Sequence, residues 1–438
     1  MATSTAVHLQ NRVLLAKIHF SICYNLMKST LFSLVFSLLL FPVFSQGIKF
    51  EEGTFPQLVN LARQQHKLLM VEVYLNGCPH CAALAPVLQE KKVGDFFNPA
   101  FVSTKIEANS AISKELQQQK GITYPEFPLL FFFDANGQLI HQASPAERPN
   151  REEFIREVIK HGNEALTPSL RTGNYAARYA KGERGSEFLV NYGKYAKATK
   201  DVARQTQIGA DLAKLLTKPA DMESANGFYI ISRLLNDFQN PMAKHFFANL
   251  PKYQKYNTSE NPKAVKDAAE AIIYNTLYGA RTNSLKSSEV VAMREAMVRL
   301  GNPAKVVAPR TLLKELEAHF REKNTPAATA RFNEYRRIAT MDFLDYSYIV
   351  RLFNEKATDN SYAPALAGWV TDGAKLFNPG NANHTKDKLA DLHNECSKAY
   401  LKIGKKSEAK KAVQEALNIA KAAKINTKPY TDQLAKCN

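Results

Sequence analysis

Cys78-Pro79-His80-Cys81 puts two thiols three residues apart, with two residues between them, which is the spacing of a redox-active dithiol. A β-rich run, Lys67–Leu75, precedes it, and a helix-forming run, Cys78–Glu90, begins on it. A thiol at a helix N-terminus faces unpaired N–H groups and the positive end of the dipole, and both favour thiolate. The second thiol, one turn on, can reach the first. Cys78 therefore reads as the accessible nucleophile and Cys81 as the buried resolving thiol, with a mixed disulfide forming on Cys78 and Cys81 releasing it. His80 beside the thiolate would stabilise it by a hydrogen bond or by positive charge, making the disulfide a better oxidant. Other uses of two cysteines fit less well. A c-type haem needs His directly after the second cysteine, and residue 82 is Ala. A structural zinc needs two more ligands at similar spacing, and Cys396 and Cys437 form no such pair. A purely structural Cys78–Cys81 disulfide stays open. His66, His141 and His161 lack ligand spacing and read as surface residues. No metal and no cofactor is expected.

The elements that would position the dithiol alternate between helix and strand from Phe50 to about His161. Helices are expected over Phe55–Gln65, Cys78–Glu90, Ile112–Gln119 and Arg151–His161. Strands are expected over Lys67–Leu75, Phe101–Ile106, Pro128–Phe133 and Gln138–Gln142, the last two joined by the turn signal Asp134-Ala135-Asn136-Gly137. Such alternation implies an α/β layer fold with a part-parallel sheet.

On these residues the region 47–162 resembles a thioredoxin-like domain. The resemblance implies two more site residues. Glu72, on the strand before the dithiol, stands where the family keeps a buried acid that exchanges a proton with the resolving cysteine. Pro128, in Phe127-Pro128-Leu129-Leu130, stands where the family keeps a cis-proline that orients an extended substrate. The run Val71-Glu72-Val73-Tyr74 before Cys-Pro-His-Cys is similar to DsbA-type oxidases. The stretch from Cys81 to Pro128 is too short for their helical insertion, and Gly77 replaces thioredoxin's usual Trp. The direction of electron flow is open. The implied function is thiol–disulfide exchange with protein thiols and disulfides, coupled to a redox partner protein. The rival reading is a non-catalytic interaction scaffold whose dithiol is vestigial.

Composition bounds the rest. The chain has 438 residues, 45% hydrophobic and 23% charged, with 58 Lys+Arg against 41 Asp+Glu. That is globular, too long for one domain, and neither disordered nor polytopic in a membrane. Leu31–Phe44 is apolar, follows Lys28 and ends Val43-Phe44-Ser45-Gln46, which reads as a signal peptide cut after Ser45. Residues 1–45 are assigned to it, with translation expected to begin at Met27. The protein is thus expected to be exported, periplasmic or secreted, which makes nucleic acid an unlikely ligand for its basic surface. Removing residues 1–45, which hold Arg12, Lys17 and Lys28 and no acid, leaves a basic balance spread without a dense block.

Residues 165–438 lose the strand signals and read as successive helix pairs with breaks at Pro219, Pro251, Pro262, Pro303, Pro326 and Pro379. Residues 387–424 resemble one tetratricopeptide repeat, through Ala399-Tyr400-Leu401-Lys402-Ile403-Gly404, Glu408-Ala409 and Ala416-Leu417. Tyr175 to Leu189 is similar to the helical extension of exported bacterial thioredoxin-like proteins. Stacked helix pairs offer a groove for docking clients or partners. Cys396 and Cys437 lie one repeat period of ~34 residues plus about two helical turns apart. That places them level on neighbouring helices, where a structural disulfide Cys396–Cys437 is expected.

Overall fold

The computed structural model describes residues 47–438, so the expected signal segment, its cut after Ser45 and the start at Met27 lie outside the described residues. The described chain divides into two compact units between Ala177 and Arg178. That boundary falls later than the expected one at 162–165. Residues beyond Gly162 still belong to the first unit: Thr172 Oγ accepts from Gln142 N–H at 2.9 Å, and Thr172 N–H donates to His141 Nδ1 at 3.2 Å. The first of these bonds satisfies a backbone N–H of the last strand, and the second ties the following turn to a side chain of that strand.

The first unit runs α1 (Phe55–Gln64), β1 (Leu68–Tyr74), α2 (Pro79–Leu88), α3 (Lys91–Ala100), β2 (Phe101–Glu107), α4 (Ala111–Lys120), β3 (Leu129–Phe133), β4 (Leu139–Ala143) and α5 (Arg151–Leu166). The sheet order is β2-β1-β3-β4, with β1 parallel to β2, β3 antiparallel to β1, and β4 antiparallel to β3. With helices on both faces, this is the thioredoxin fold. The expected elements are present within a residue or two at most ends. Helix α5 continues to Leu166, five residues beyond the expected His161, and α3 was not foreseen.

Local chemistry accounts for the ends of these elements. Ser110 Oγ accepts from Ser113 N–H and starts α4, while Gly121, at φ 64, ends it. Asn150 caps α5 by accepting from Glu152 and Glu153 N–H, and those two acids sit at the positive end of the dipole. Asp134 Oδ1 accepts from Asn136 and Gln138 N–H, which closes the β3–β4 turn. Helix α3 has no clear local signal because Gly94 and Pro99 lie inside it; its buried Val93 and Phe97 hold it to the core.

The alternation of β1 divides its side chains between two layers. Met70 joins Leu130 and Phe132 under Leu84, Val87 and Leu88 of α2 and Phe154, Ile155 and Val158 of α5. Glu72, two residues on from Met70, points to that same layer, beneath the helix that carries the dithiol.

The second unit is all helix. Its helices of two turns or more are α6 (Ser186–Ala198), α7 (Val202–Leu215), α8 (Ala225–Leu234), α9 (Pro241–Ala248), α10 (Ala264–Tyr278), α11 (Ser287–Arg299), α12 (Ala304–Arg321), α13 (Thr325–Ile338), α14 (Phe343–Lys356), α15 (Ala363–Lys375), α16 (Lys386–Lys402), α17 (Lys406–Ala422) and α18 (Lys428–Ala435). Pro219, Pro241 and Pro326 stand in the first turn of helices, where a missing N–H costs nothing. Pro219 and Pro326 thus mark breaks between successive helices by opening the second of each pair. Trp369 is buried among Phe332, Phe353 and Leu366 and donates Nε1–H to Asn333 Oδ1 at 2.8 Å. Helices α16 and α17 pair across a turn at Gly404, whose φ of 73 favours glycine. Among the described residues no helix is long and apolar enough to cross a membrane.

Candidate functional site

Cys78 occupies the N-cap of α2. Its backbone is extended, Pro79 fills the first helical position, and Cys78 Sγ accepts from Cys81 N–H at 3.3 Å. The sulfur thus takes the place of a capping oxygen, where an anion is favoured. Gly77 makes the turn into this position: it adopts φ 77, and Cys78 N–H bonds back to Leu75 C=O at 3.1 Å. A Cβ at Gly77 would meet nothing within 4 Å, so the backbone angle, not crowding, calls for glycine here. Both thiols are free, Cys78 partly exposed and Cys81 buried.

Burial, followed by the hydrogen bond with Cys78, pushes the Cys81 thiol up to about 12; the nearby charges of Cys78 and Glu72 act in the same direction. A thiol held so high needs a base to become a nucleophile. Glu72 on β1 stands beneath the helix that carries this thiol. It is fully buried, and neither carboxyl oxygen has a hydrogen-bond partner among the described residues. Burial pushes its carboxyl up to about 6, against the pull of Lys105. Lys105 stands directly opposite Glu72 in the β1–β2 register, with Nζ 3.6 Å from Oε1 and 4.6 Å from the centre of the Tyr74 ring. Nothing in the sequence singled out Lys105. The parallel register, which is a tertiary fact, brings it to the acid.

The Phe127–Pro128 peptide is cis. Strand pairing sets Val73 opposite Leu129, so Pro128 lies one step beyond, at the end of β1 that leads to Cys78. Ser144 Oγ donates to Pro128 C=O at 3.0 Å. Pro128, Glu72 and the dithiol are thus gathered at one end of the sheet.

His80 has a carboxylate partner. Its Nδ1 lies 3.0 Å from Glu147 Oε2, with both side chains exposed. A carboxylate only accepts, so Nδ1 carries the hydrogen. The hydrogen bond that Cys78 Sγ receives comes from Cys81 N–H, not from this nitrogen. Glu147 sits in the loop after β4, where sequence spacing gives no hint of contact with His80.

Two further expectations need correcting. His141 and His161 are not surface residues. His141 is on β4 and buried, with Nε2 3.7 Å from Glu164 Oε2, and His161 on α5 lies 3.2 Å from Glu157 and 2.9 Å from Glu164. The alternation of β4 turns His141 inward beneath α5. Burial holds the His141 ring down to about 4, so it is neutral. Three ligand-type side chains, His141, His161 and Glu164, converge here. The tautomer argues against a metal, however: Thr172 N–H donates to His141 Nδ1, so the ring hydrogen is on Nε2, facing Glu164.

Cys396 and Cys437 are both buried and unbridged. Their levels along the helices match, but their directions do not. Cys437 Sγ lies 3.7 Å from Ser397 Oγ and packs with α17 and α18, whereas Cys396 packs with α14 and α15 on another face of α16. One residue along a helix is a rotation of about 100°, which separates the two thiols.

No family model matches the chain. It is similar to protein disulfide-isomerase A2 of Homo sapiens, 31% identical over 104 residues, which is 23% of this chain and 19% of that protein. The chain thus spans about a fifth of the length of that curated relative. Among solved structures, a putative disulphide-isomerase from Bacteroides thetaiotaomicron shares 27% identity over 27% of this chain and 93% of its own, with a TM-score of 0.24. A disulphide isomerase from Xylella fastidiosa Temecula1 shares 15% identity over 27% of this chain and 98% of its own, with a TM-score of 0.23.

Proposed function

We propose that the protein is an exported thiol–disulfide oxidoreductase acting on protein thiols and disulfides. The observation that carries this reading is Cys78 at the helix N-cap, with Cys81 one turn on and a buried Glu72, paired only loosely with Lys105, beneath the same helix. Cys78 thiolate attacks a substrate disulfide, whose S–S bond breaks as the mixed disulfide forms and one substrate thiolate leaves. Cys81 then passes its proton to Glu72 and attacks Cys78 Sγ, which releases the second substrate thiol. The substrate gains two electrons, and the chain is left with a Cys78–Cys81 disulfide that a partner dithiol must reduce. Run backwards, the same steps oxidise a client. Pro128 orients the substrate's extended backbone beside the dithiol. The tetratricopeptide-like helical unit docks clients or the redox partner, and the signal segment delivers the protein to the periplasm or outside the cell.

The test is the reduction of a model disulfide protein by dithiothreitol, with and without the full chain. Acceleration that requires both cysteines is expected. No acceleration, with Cys78 unreactive toward alkylation below pH 8, would point instead to a scaffold with a vestigial dithiol.

His80 gives a further expectation. The reduction potential should be more oxidising than thioredoxin's ~−270 mV, and His80→Pro should lower it. Glu147→Gln frees the ring to turn toward the sulfur and should raise it. An exposed pair of this kind is worth about 20 mV at most on a two-electron couple. Equilibration with glutathione buffers measures all three proteins. Equal potentials would remove His80 and Glu147 from the account.

A further inference from the structure

We propose that a cleft along α10 of the helical unit binds an extended segment of unfolded client protein that is both apolar and acidic; this rests on the reading of the chain as an oxidoreductase of proteins. Two cavities, of about 790 and 360 Å³, open on the same helix. The first is lined by Lys263 and Lys266 at the start of α10 and by Arg299 at the end of α11. The second is lined by Ile273, Tyr274, Leu277 and Tyr278 further along α10, together with Met297 of α11. Lys263, Lys266, Glu270, Tyr274 and Leu277 recur three or four residues apart, with Ile273 beside Tyr274, and at about 100° per residue all six fall on one face. The two cavities therefore lie end to end along it.

The chemistry of this face selects the occupant. At the aromatic end Tyr274 and Tyr278 are 63% and 50% exposed, their rings 5.1 Å apart, over a floor of buried Ile273, Leu277 and Met297. Exposed aromatic surface over an apolar floor is unusual unless something covers it. The charges around it are mostly positive. Lys266 lies 3.8 Å from Glu270 and Arg299 lies 4.0 Å from Glu295, both loose contacts, and Lys263 makes no ion pair with any described residue. Arg310 lines the aromatic end, and Lys314 Nζ stands 5.7 Å from the Tyr278 ring centre. Glu270, the carboxylate that lines the second cavity, accepts from Asn302 at 2.8 Å. A strip of aromatic and aliphatic surface edged with cations complements side chains of the same apolar kind accompanied by carboxylates. From Lys266 to Tyr278 the helix rises about 18 Å, the reach of about five extended residues. An unfolded segment supplies that shape, and such segments are what a dithiol enzyme meets in clients whose cysteines are not yet paired.

The test uses the full chain and a labelled synthetic peptide carrying Phe and Leu followed by Asp and Glu. Its twin has Asn and Gln in place of the acids. Fluorescence anisotropy should show the acidic peptide binding about tenfold tighter than its twin, with the difference shrinking as salt rises. Lys266→Glu combined with Arg299→Glu should remove the preference for acid. Tyr274→Ser should weaken both peptides. These side chains are exposed and stand outside the dithiol site, so turnover of a small uncharged disulfide should not change in any variant. Equal affinity for the two peptides, or affinity indifferent to all three substitutions, overturns the proposal. So does a dimer in light scattering that Tyr274→Ser disperses, because the cleft would then belong to a second copy of the chain. Peptide binding without disulfide turnover would support the cleft while defeating the oxidoreductase reading. Turnover without peptide binding would defeat the cleft alone.

Discussion

Cys81→Ser is expected to accumulate mixed disulfides through Cys78, and Cys78→Ser is expected to form none. The asymmetry follows from the helix start. Cys78 Sγ sits at the N-cap with the Cys81 N–H directed at it, and it is partly open to solvent. Cys81 is buried and its thiol is pushed up to about 12 by that burial and by Cys78. At neutral pH only a minute fraction of Cys81 is thiolate, so it does not attack an external disulfide on its own. In the proposed mechanism its target is the mixed disulfide already formed one turn away. With serine at 81 that attack is lost and the client stays attached. With serine at 78 the first bond never forms. In either variant, reduction of a model disulfide protein should fall to the rate of dithiothreitol alone. Non-reducing gels and mass mapping of the adducts read the result. Equal trapping by both variants would mean that the nucleophile has been misassigned.

What the sequence could and could not disclose follows from the range of the interactions involved. The dithiol, the helix it opens and the strand before it are local, and a nine-residue β-rich run followed by a thiol at a helix start announces them. Glu72 and Pro128 are legible only through resemblance, since neither residue type identifies itself. Glu72 looks like any charged residue in a strand until its neighbours bury it. Lys105 and Glu147 escaped because they meet the site only through the parallel β1–β2 register and through the path of the loop after β4. The burial of His141 is hidden for a related reason. One buried polar residue in a short edge strand looks like the solvent side of an alternation, and only the helix packed above it shows otherwise. In the helical unit, periodicity gave the class and the last helix pair. The Cys396–Cys437 expectation shows the limit of that reasoning. Counting turns sets the level of a residue along a helix but leaves its rotation open, and a disulfide needs both.

Glu72→Gln is expected to change both the pH dependence of turnover and the pH dependence of stability, with the fold retained. For turnover, the carboxyl near pH 6 is mostly ionised at neutral pH and able to take the Cys81 proton. The wild-type rate of resolving the mixed disulfide should therefore rise through about pH 6 and then level. With glutamine the proton must go to solvent. The inflection should disappear, the rate should climb with hydroxide instead, and turnover at pH 7 should fall by about 10²-fold, the usual scale of a lost general base. The stability effect has a definite sign. Burial raises the native carboxyl from its ordinary 4.5 to about 6, so between those values the native state binds more protons than the unfolded chain. Stability is then greatest below pH 4.5 as far as this group is concerned, and it is lost as pH rises through about 6. The loss corresponds to about 2 kcal/mol, and the ion at Lys105 already offsets part of what full burial would cost. Glutamine carries no charge at any pH, so the variant should lack this slope and gain on wild type from pH 4.5 to 7. Hydrogen exchange of the β1 and β3 amides reports the unit that holds Glu72 and is the measurement of choice. Parallel pH profiles for the two proteins, in exchange and in turnover, would show that Glu72 neither carries the proton nor bears the cost of burial.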